Sequence, residues 1–167
     1  MRVFLDTEFT DLTEPNLLSI GLVSDDGHEL YVELELGTDD ARDRMRVTSS
    51  FVHEVVLPQW GRVPGAACGH REMGRRAGEW LQRLAERSGQ AELLSDCRLD
   101  VELLECALGH GGVLHVMSKV GERSVVAAVY DHPDADALFE RIASERGLQR
   151  HHALADALAL RELTRRK

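Results

Sequence analysis

Cysteine is scarce in this chain: Cys68, Cys97 and Cys106 are an odd number without Cys-x-x-Cys spacing. That excludes a disulfide framework and a cysteine-held zinc site, and leaves free thiols suited to a reducing compartment. No apolar run is long enough to cross a bilayer and no signal-peptide pattern precedes the first strand, so a cytoplasmic protein with no membrane partner is expected. Repeats, low-complexity tracts and linker-like stretches are missing too. With 167 residues, 43% of them hydrophobic, the sequence is expected to form a single domain, residues 1–167, with a sizeable core. Positive charge is in deficit: 20 Lys and Arg stand against 29 Asp and Glu, for a formal net charge of -9. Such an excess of acids counts against long or duplex nucleic acid as a ligand. Gly109-His110-Gly111-Gly112 lacks the lysine and the spacing of a phosphate-cradling P-loop and reads as a turn.

What is present begins with hydrophobic patterning. Arg2 to Phe9, Leu17 to Ser24 and His28 to Leu34 read as strands, the last two joined by the hairpin signal Asp25-Asp26-Gly27. Asp39 to Pro58 reads as a polar connection ending in a short helix, and Gly61 to Gly69 as a loop with the composition of a mobile element. Glu72 to Arg87 is patterned as a helix with Met73, Ala77, Trp80, Leu81 and Leu84 on one face, which makes Trp80 a core residue. Leu93 to Ser95 is expected as a fourth strand running into a helix that carries Asp100, and Ser124 to Tyr130 as a fifth, before a helix over Ala135 to Arg146. A strand-helix-strand order implies parallel pairing in this second half.

Chemistry enters with Asp6 and Glu8 on the first strand. Residues two apart on a strand share a face, so the two carboxylates converge. At that distance they repel and raise each other's pKa unless a cation sits between them. Oxygen ligands favour Mg²⁺ or Mn²⁺ over zinc. The pair alone also fits a strand end with two solvated acids. At the other end of the chain, His151-His152-Ala153-Leu154-Ala155-Asp156 opens an alanine- and leucine-rich helix, expected to carry an imidazole and a carboxylate five residues apart in its first turn. Histidine is the side chain suited to moving a proton near neutral pH.

Together these motifs resemble the DEDDh superfamily of 3′-to-5′ exonucleases, with Asp6-Thr7-Glu8 as the first motif and His151-His152-Ala153-Leu154-Ala155-Asp156 as the last. The middle motif is an Asn-x-x-x-Asp pattern opening a helix, and here Asp96 takes the Asn place and Asp100 the Asp place. The extra acid makes Asp96 a rival to Asp100 as the middle ligand. Leu17-Leu18-Ser19-Ile20-Gly21 and the stretch from Phe51 to Pro58 add to a likeness that spans nearly the whole chain and is nearest to the small stand-alone exoribonucleases.

The resemblance implies an α/β, ribonuclease H-like fold: a mixed five-stranded sheet flanked by helices. It implies two ions, Mg²⁺ or Mn²⁺, with Asp6 bridging them, Glu8 and Asp156 completing the first, and Asp100 holding the second. His151, which keeps the motif's spacing where His152 does not, is implied as the general base. Phe9 and Thr10, leaving the strand at the metal site, are the expected contacts to the terminal base and sugar. The expected activity is 3′-to-5′ hydrolysis of short single-stranded RNA to nucleoside 5′-monophosphates, since two divalent ions would offset the negative charge where the phosphate binds. The alternatives are a DNA exonuclease of the proofreading type and a non-catalytic protein-binding module on the same fold. A homodimer is expected from the small relatives of this type.

Overall fold

The computed structural model describes residues 1–126, 129 and 131–165. Its frame is a six-stranded sheet. β1 (Arg2–Phe9) pairs antiparallel with β2 (Leu17–Ser24), and β2 pairs antiparallel with β3 (Glu29–Leu34). The hairpin between β2 and β3 closes through Gly27, whose φ of 91° is accessible to glycine at little cost and whose N–H donates to the Ser24 carbonyl at 3.0 Å. α1 (Asp39–Met45) follows, with Thr38 as its N-cap accepting from the Ala41 N–H. The chain then makes a π-helical turn at Val52–Val56 and a 3₁₀ turn at Leu57–Gln59 before β4 (Ala67–Cys68) and α2 (His70–Ser88). β5 (Ala91–Ser95), α3 (Arg98–Gly111), a 3₁₀ turn at Leu114–Lys119, β6 (Val120–Ser124), α4 (Ala135–Glu145) and α5 (Ala153–Arg165) complete the fold. Strand order is β4-β3-β2-β1-β5-β6, and β5 lies parallel to both β1 and β6.

Three expectations need correction. The sheet has six strands rather than five, because Ala67–Cys68 pairs with Glu33 and Leu34 inside what reads as a loop. Two residues are too few to show a period. The strand expected at 124–130 lies instead at Val120–Ser124, paired from Ala91–Val120 to Ser95–Ser124. Its sequence Val-Gly-Glu-Arg-Ser is that of an edge strand, and Val125, which follows it, lies outside the sheet. Val125 packs with Phe4, Leu94, Leu138 and Phe139, while residues 127, 128 and 130 of the expected strand lie outside the described residues. Finally, Gly109 to Gly111 belong to the end of α3, and Gly112, with φ 74°, is its left-handed cap.

The sheet buries two faces of different character. Val3, Leu5, Ile20, Leu22, Val32 and Leu93 point to α2 and α3 and form the larger core, which includes Trp80. The other face carries Phe4, Val23 and Tyr31 toward α4 and α5, and on it lie Asp6 and Glu8. α5 comes unusually close: a Cβ on Gly21 would lie 2.2 Å from the Ala153 carbonyl oxygen. Among the described residues no helix is long and apolar enough to cross a membrane.

Candidate active site

Asp6 and Glu8 stand at the C-terminal end of β1, under the start of α5. Their cross-strand partners extend two rows over the same face: Asp6, Gly21 and Tyr31 in one, Glu8, Ser19 and Glu33 in the next. Gly21 leaves the room in which α5 begins, so the first turn of that helix settles directly beside the two acids. Asp156 belongs to that turn and is buried; its Oδ2 accepts from the His151 N–H at 3.2 Å, while its Oδ1 is buried without a hydrogen-bond partner. Asp100 arrives from the first turn of α3. Thr7 donates to its Oδ1 at 2.7 Å and Ser95 to its Oδ2 at 3.0 Å, which fixes the carboxylate although it is only 2% exposed.

The acids fall into two groups that could each hold a cation. Within Glu8, His151 and Asp156, and within Asp6, Asp96 and Asp100, one donor atom from each residue lies within 4.8 Å of the others. Asp96 and Asp100 both reach the neighbourhood of Asp6. Burial, then the surrounding carboxylates, push Asp6 and Glu8 well above the usual carboxylate range. Burial raises Asp100 to about 6 against the pull of its Thr7 and Ser95 hydrogen bonds, and raises Asp156 to about 7. Asp96 is raised by burial as well. A close-set group of largely buried acids with an orphaned oxygen on Asp156 is a poor resting place for negative charge and a good one for hard divalent cations, so the residues fit Mg²⁺ or Mn²⁺.

The two histidines part company just before α5. The helix starts at Ala153, so neither imidazole is in its first turn as the sequence implies. His151 takes a left-handed backbone, φ 63°, which is uncommon for a residue with a Cβ and turns its ring into the cavity, edge-on to Phe51 with 4.9 Å between centroids. Burial holds its pKa below 6.5, so the ring is neutral at pH 7. His152 is buried against Tyr31, 4.3 Å between ring centroids, away from the cavity; burial pushes it down to about 4, and neither ring nitrogen has a hydrogen-bond partner.

A cavity of about 480 Å³ opens over the acids. Phe9 and Thr10 both line it, but the Thr10 hydroxyl is committed to the following loop, donating to the Glu14 carbonyl at 2.8 Å and accepting from the Asn16 N–H at 2.9 Å. Leu12 and Phe51, two of the large exposed apolar side chains, line the same cavity; Leu12 lies in no motif, and Phe51 opens the Phe51–Pro58 stretch with nothing there to mark it as a cavity residue. Gln59 is the other residue hidden from sequence reasoning. Fully buried, it donates through Nε2 to the carbonyls of Arg150 at 3.0 Å and His151 at 3.2 Å, while its Oε1 accepts from the Gln149 N–H at 2.8 Å. Glu33, at the end of the Glu8 row, accepts from the Gly61 N–H at 2.9 Å and so pins the segment that carries Gln59.

Neither a protein-family model nor the sequence of a curated protein matches this chain. Its structure does have solved counterparts. The nuclease domain of 3'hExo, a DEDDh family member determined bound to rAMP, superposes with a TM-score of 0.52 over 99% of this chain and 90% of that one, at 13% sequence identity. The fold is thus the ribonuclease H-like fold of a DEDDh nuclease domain, with one more short strand than the sequence pattern shows.

Proposed function

We propose that the protein is a 3′-to-5′ exonuclease that trims short single-stranded RNA to nucleoside 5′-monophosphates with the aid of two divalent ions, Mg²⁺ or Mn²⁺. The observation that carries this reading is the meeting of Asp6, Glu8, Asp100, Asp156 and His151, from three separate elements and one loop, at a single cavity of a DEDDh-type fold. The rAMP bound by the structural counterpart supports a ribonucleotide substrate. Asp6, with Asp96 and Asp100, would hold one ion, and Glu8 with Asp156 the other; the ions would neutralise the phosphate and stabilise charge on the departing oxygen.

The chain's own groups account for the rest. The terminal nucleoside fits between Phe9, Leu12 and Phe51, which offer apolar surface to a base. His151, neutral at pH 7 and braced by Phe51, accepts the proton of the water that attacks the last phosphodiester. The new P–O bond forms as the bond to the 3′ oxygen of the preceding nucleotide breaks. A nucleoside 5′-monophosphate leaves, and the shortened strand keeps a free 3′ hydroxyl. Incubating 5′-labelled RNA and DNA oligomers with the protein in Mn²⁺, Mg²⁺ or EDTA tests this. A ladder shortening one nucleotide at a time from the 3′ end, faster on RNA and abolished by EDTA, is expected. Equal or better cleavage of DNA would move the substrate to the proofreading type, and no cleavage of either would favour the non-catalytic module.

A further inference from the structure

Glu33 is a buried carboxylate with no part in the proposed chemistry. It is 1% exposed and does not line the catalytic cavity. Among the described residues no arginine, lysine or histidine is ion-paired with it; the Tyr31 hydroxyl donates to its Oε2 and the Gly61 N–H to its Oε1, each at 2.9 Å. Burying a carboxylate on two neutral donors is costly, so its place calls for a reason. Both donors lead to the histidines. Gly61 follows Trp60, whose Nε1 donates to the Leu34 carbonyl at 2.8 Å, and Gln59, which holds the Arg150 and His151 carbonyls and the Gln149 N–H. Residues 59–61 are thus fastened to β3 on one side and to the turn before α5 on the other. Tyr31 makes the second connection, since the ring that donates to Glu33 also lies against His152. His151 stands between these two anchors in a left-handed conformation, which persists for a residue with a Cβ only where its surroundings hold it.

Resting on the exonuclease reading, we infer that Glu33 is a positioning residue for His151, tying β3 to both flanks of the left-handed turn, and that it works through the reach of its side chain rather than through its charge. Glutamine has the same reach: its carbonyl can accept from the Gly61 N–H, and its NH₂ can donate to the Tyr31 hydroxyl, which is free to turn. Aspartate keeps the charge but withdraws the oxygens by one methylene, about 1.5 Å. That is enough to carry one or both donors out of hydrogen-bond range. The two substitutions therefore separate reach from charge.

The test assays both variants on a short 5′-labelled RNA in Mn²⁺ and follows amide hydrogen exchange in the metal-free protein. The amides to watch are those of Gln149, which donates to Gln59, and His151, which donates to Asp156. Glu33→Asp is expected to lower kcat about tenfold with KM little changed, and to speed exchange at Gln149 and His151 about tenfold more than at the amides of α2. Glu33→Gln is expected to stay within about threefold of wild type in kcat and in exchange at both positions. A role confined to stability would instead speed exchange in α2 and in the turn alike and leave kcat of the folded protein in place, which would overturn the inference. So would a Glu33→Gln variant as impaired as Glu33→Asp, because the charge would then be what counts. If Glu33→Asp does not fold, Tyr31→Phe decides: it keeps the ring against His152 and removes only the hydroxyl that fixes the carboxylate. At least about a twofold fall in kcat with faster exchange at His151 is expected from it, and no change in either would overturn the inference. Wild-type protein that leaves RNA intact would remove the exonuclease reading and the inference with it, whereas the exchange arm, which needs no substrate, shows separately whether Glu33 holds the turn.

Discussion

Gly21 on the second strand and Ala153 at the start of the last helix are in backbone contact: a Cβ on the glycine would sit 2.2 Å from the Ala153 carbonyl oxygen and 2.6 Å from the Leu154 nitrogen. Gly21 pairs with Asp6 across the sheet, so this contact also sets how far Asp156 and His151 stand from the first-strand acids. Gly21→Ala is expected to push α5 off the sheet. The opposing atoms are backbone and cannot swing aside, so the cost should reach several kcal/mol, above the ~1–3 of ordinary overpacking. A thermal melt checks it, and a melting temperature within a degree or two of wild type would show that the close approach is not needed.

Gln59 is expected to matter as much as a residue that touches substrate. Replacing it by Leu removes the donor from the Arg150 and His151 carbonyls and the acceptor from Gln149. Leaving buried backbone groups unpaired costs about 1–3 kcal/mol. The loop that aims His151 would also lose its anchor, so kcat should fall at least tenfold even at temperatures where the variant is folded. Full activity in Gln59→Leu would mean that the left-handed turn at His151 holds itself.

How much of this could be read from the sequence depends on how local each feature is. Asp6, Glu8 and Asp156 stand out because a two-residue strand period and a helix start display them, and the spacing of Asp96 and Asp100 marks a helix opening. Gln59 cannot be read that way: its partners at the His151 loop lie ninety or more residues along the chain, and a glutamine after Leu57-Pro58 has no pattern. The divergence of the two histidines was also hidden, because it rests on one left-handed residue rather than on the 100° step of a helix. β4 and β6 escape the pattern because short edge strands need little hydrophobic alternation, while Val125, just after β6, packs beneath α4.

The two histidines should separate by kind of defect. His151→Ala is expected to lower the rate by roughly two to four orders of magnitude with the melting temperature little changed. His152→Ala should leave the rate of the folded protein near wild type but lower its stability, because it empties a buried site against Tyr31. Since His151 is held below 6.5, its contribution to the rate should climb with pH and level off by that point as the ring becomes neutral. Assays and melts on both variants would reverse the assignment if His152→Ala proved inactive but fully stable.

Metal and pH should be linked. Asp100 at about 6, Asp156 at about 7, and Asp6 and Glu8, both raised well above the usual carboxylate range, all bind protons more tightly folded than unfolded. Their stabilising contribution is complete below the unfolded carboxylate pKa of about 4 and is lost as pH rises through the folded values. His151 and His152 are shifted down, so they act the other way, but only below their unfolded value near 6.5. From pH 6.5 to 8.5 the metal-free protein should therefore melt at progressively lower temperature. Saturating Mn²⁺ should flatten or reverse that slope, and its binding should release protons measurable by calorimetry in buffers of different ionisation enthalpy. A metal-free melting temperature that rises across this range would contradict the assigned shifts.

Everything turns on whether the buried acids exist for cations and chemistry or for the fold. Asp6 is the residue to ask, because it faces Asp100, Asp156, Glu8 and Asp96 together. The decisive measurement is Asp6→Asn assayed on 5′-labelled RNA in Mn²⁺ alongside a melt in EDTA. Removing one of several repelling carboxylates should abolish hydrolysis while leaving the metal-free melting temperature equal to wild type or higher. Retained hydrolysis, or a large loss of metal-free stability, would contradict the account and make the acidic cluster a structural feature of the strand end.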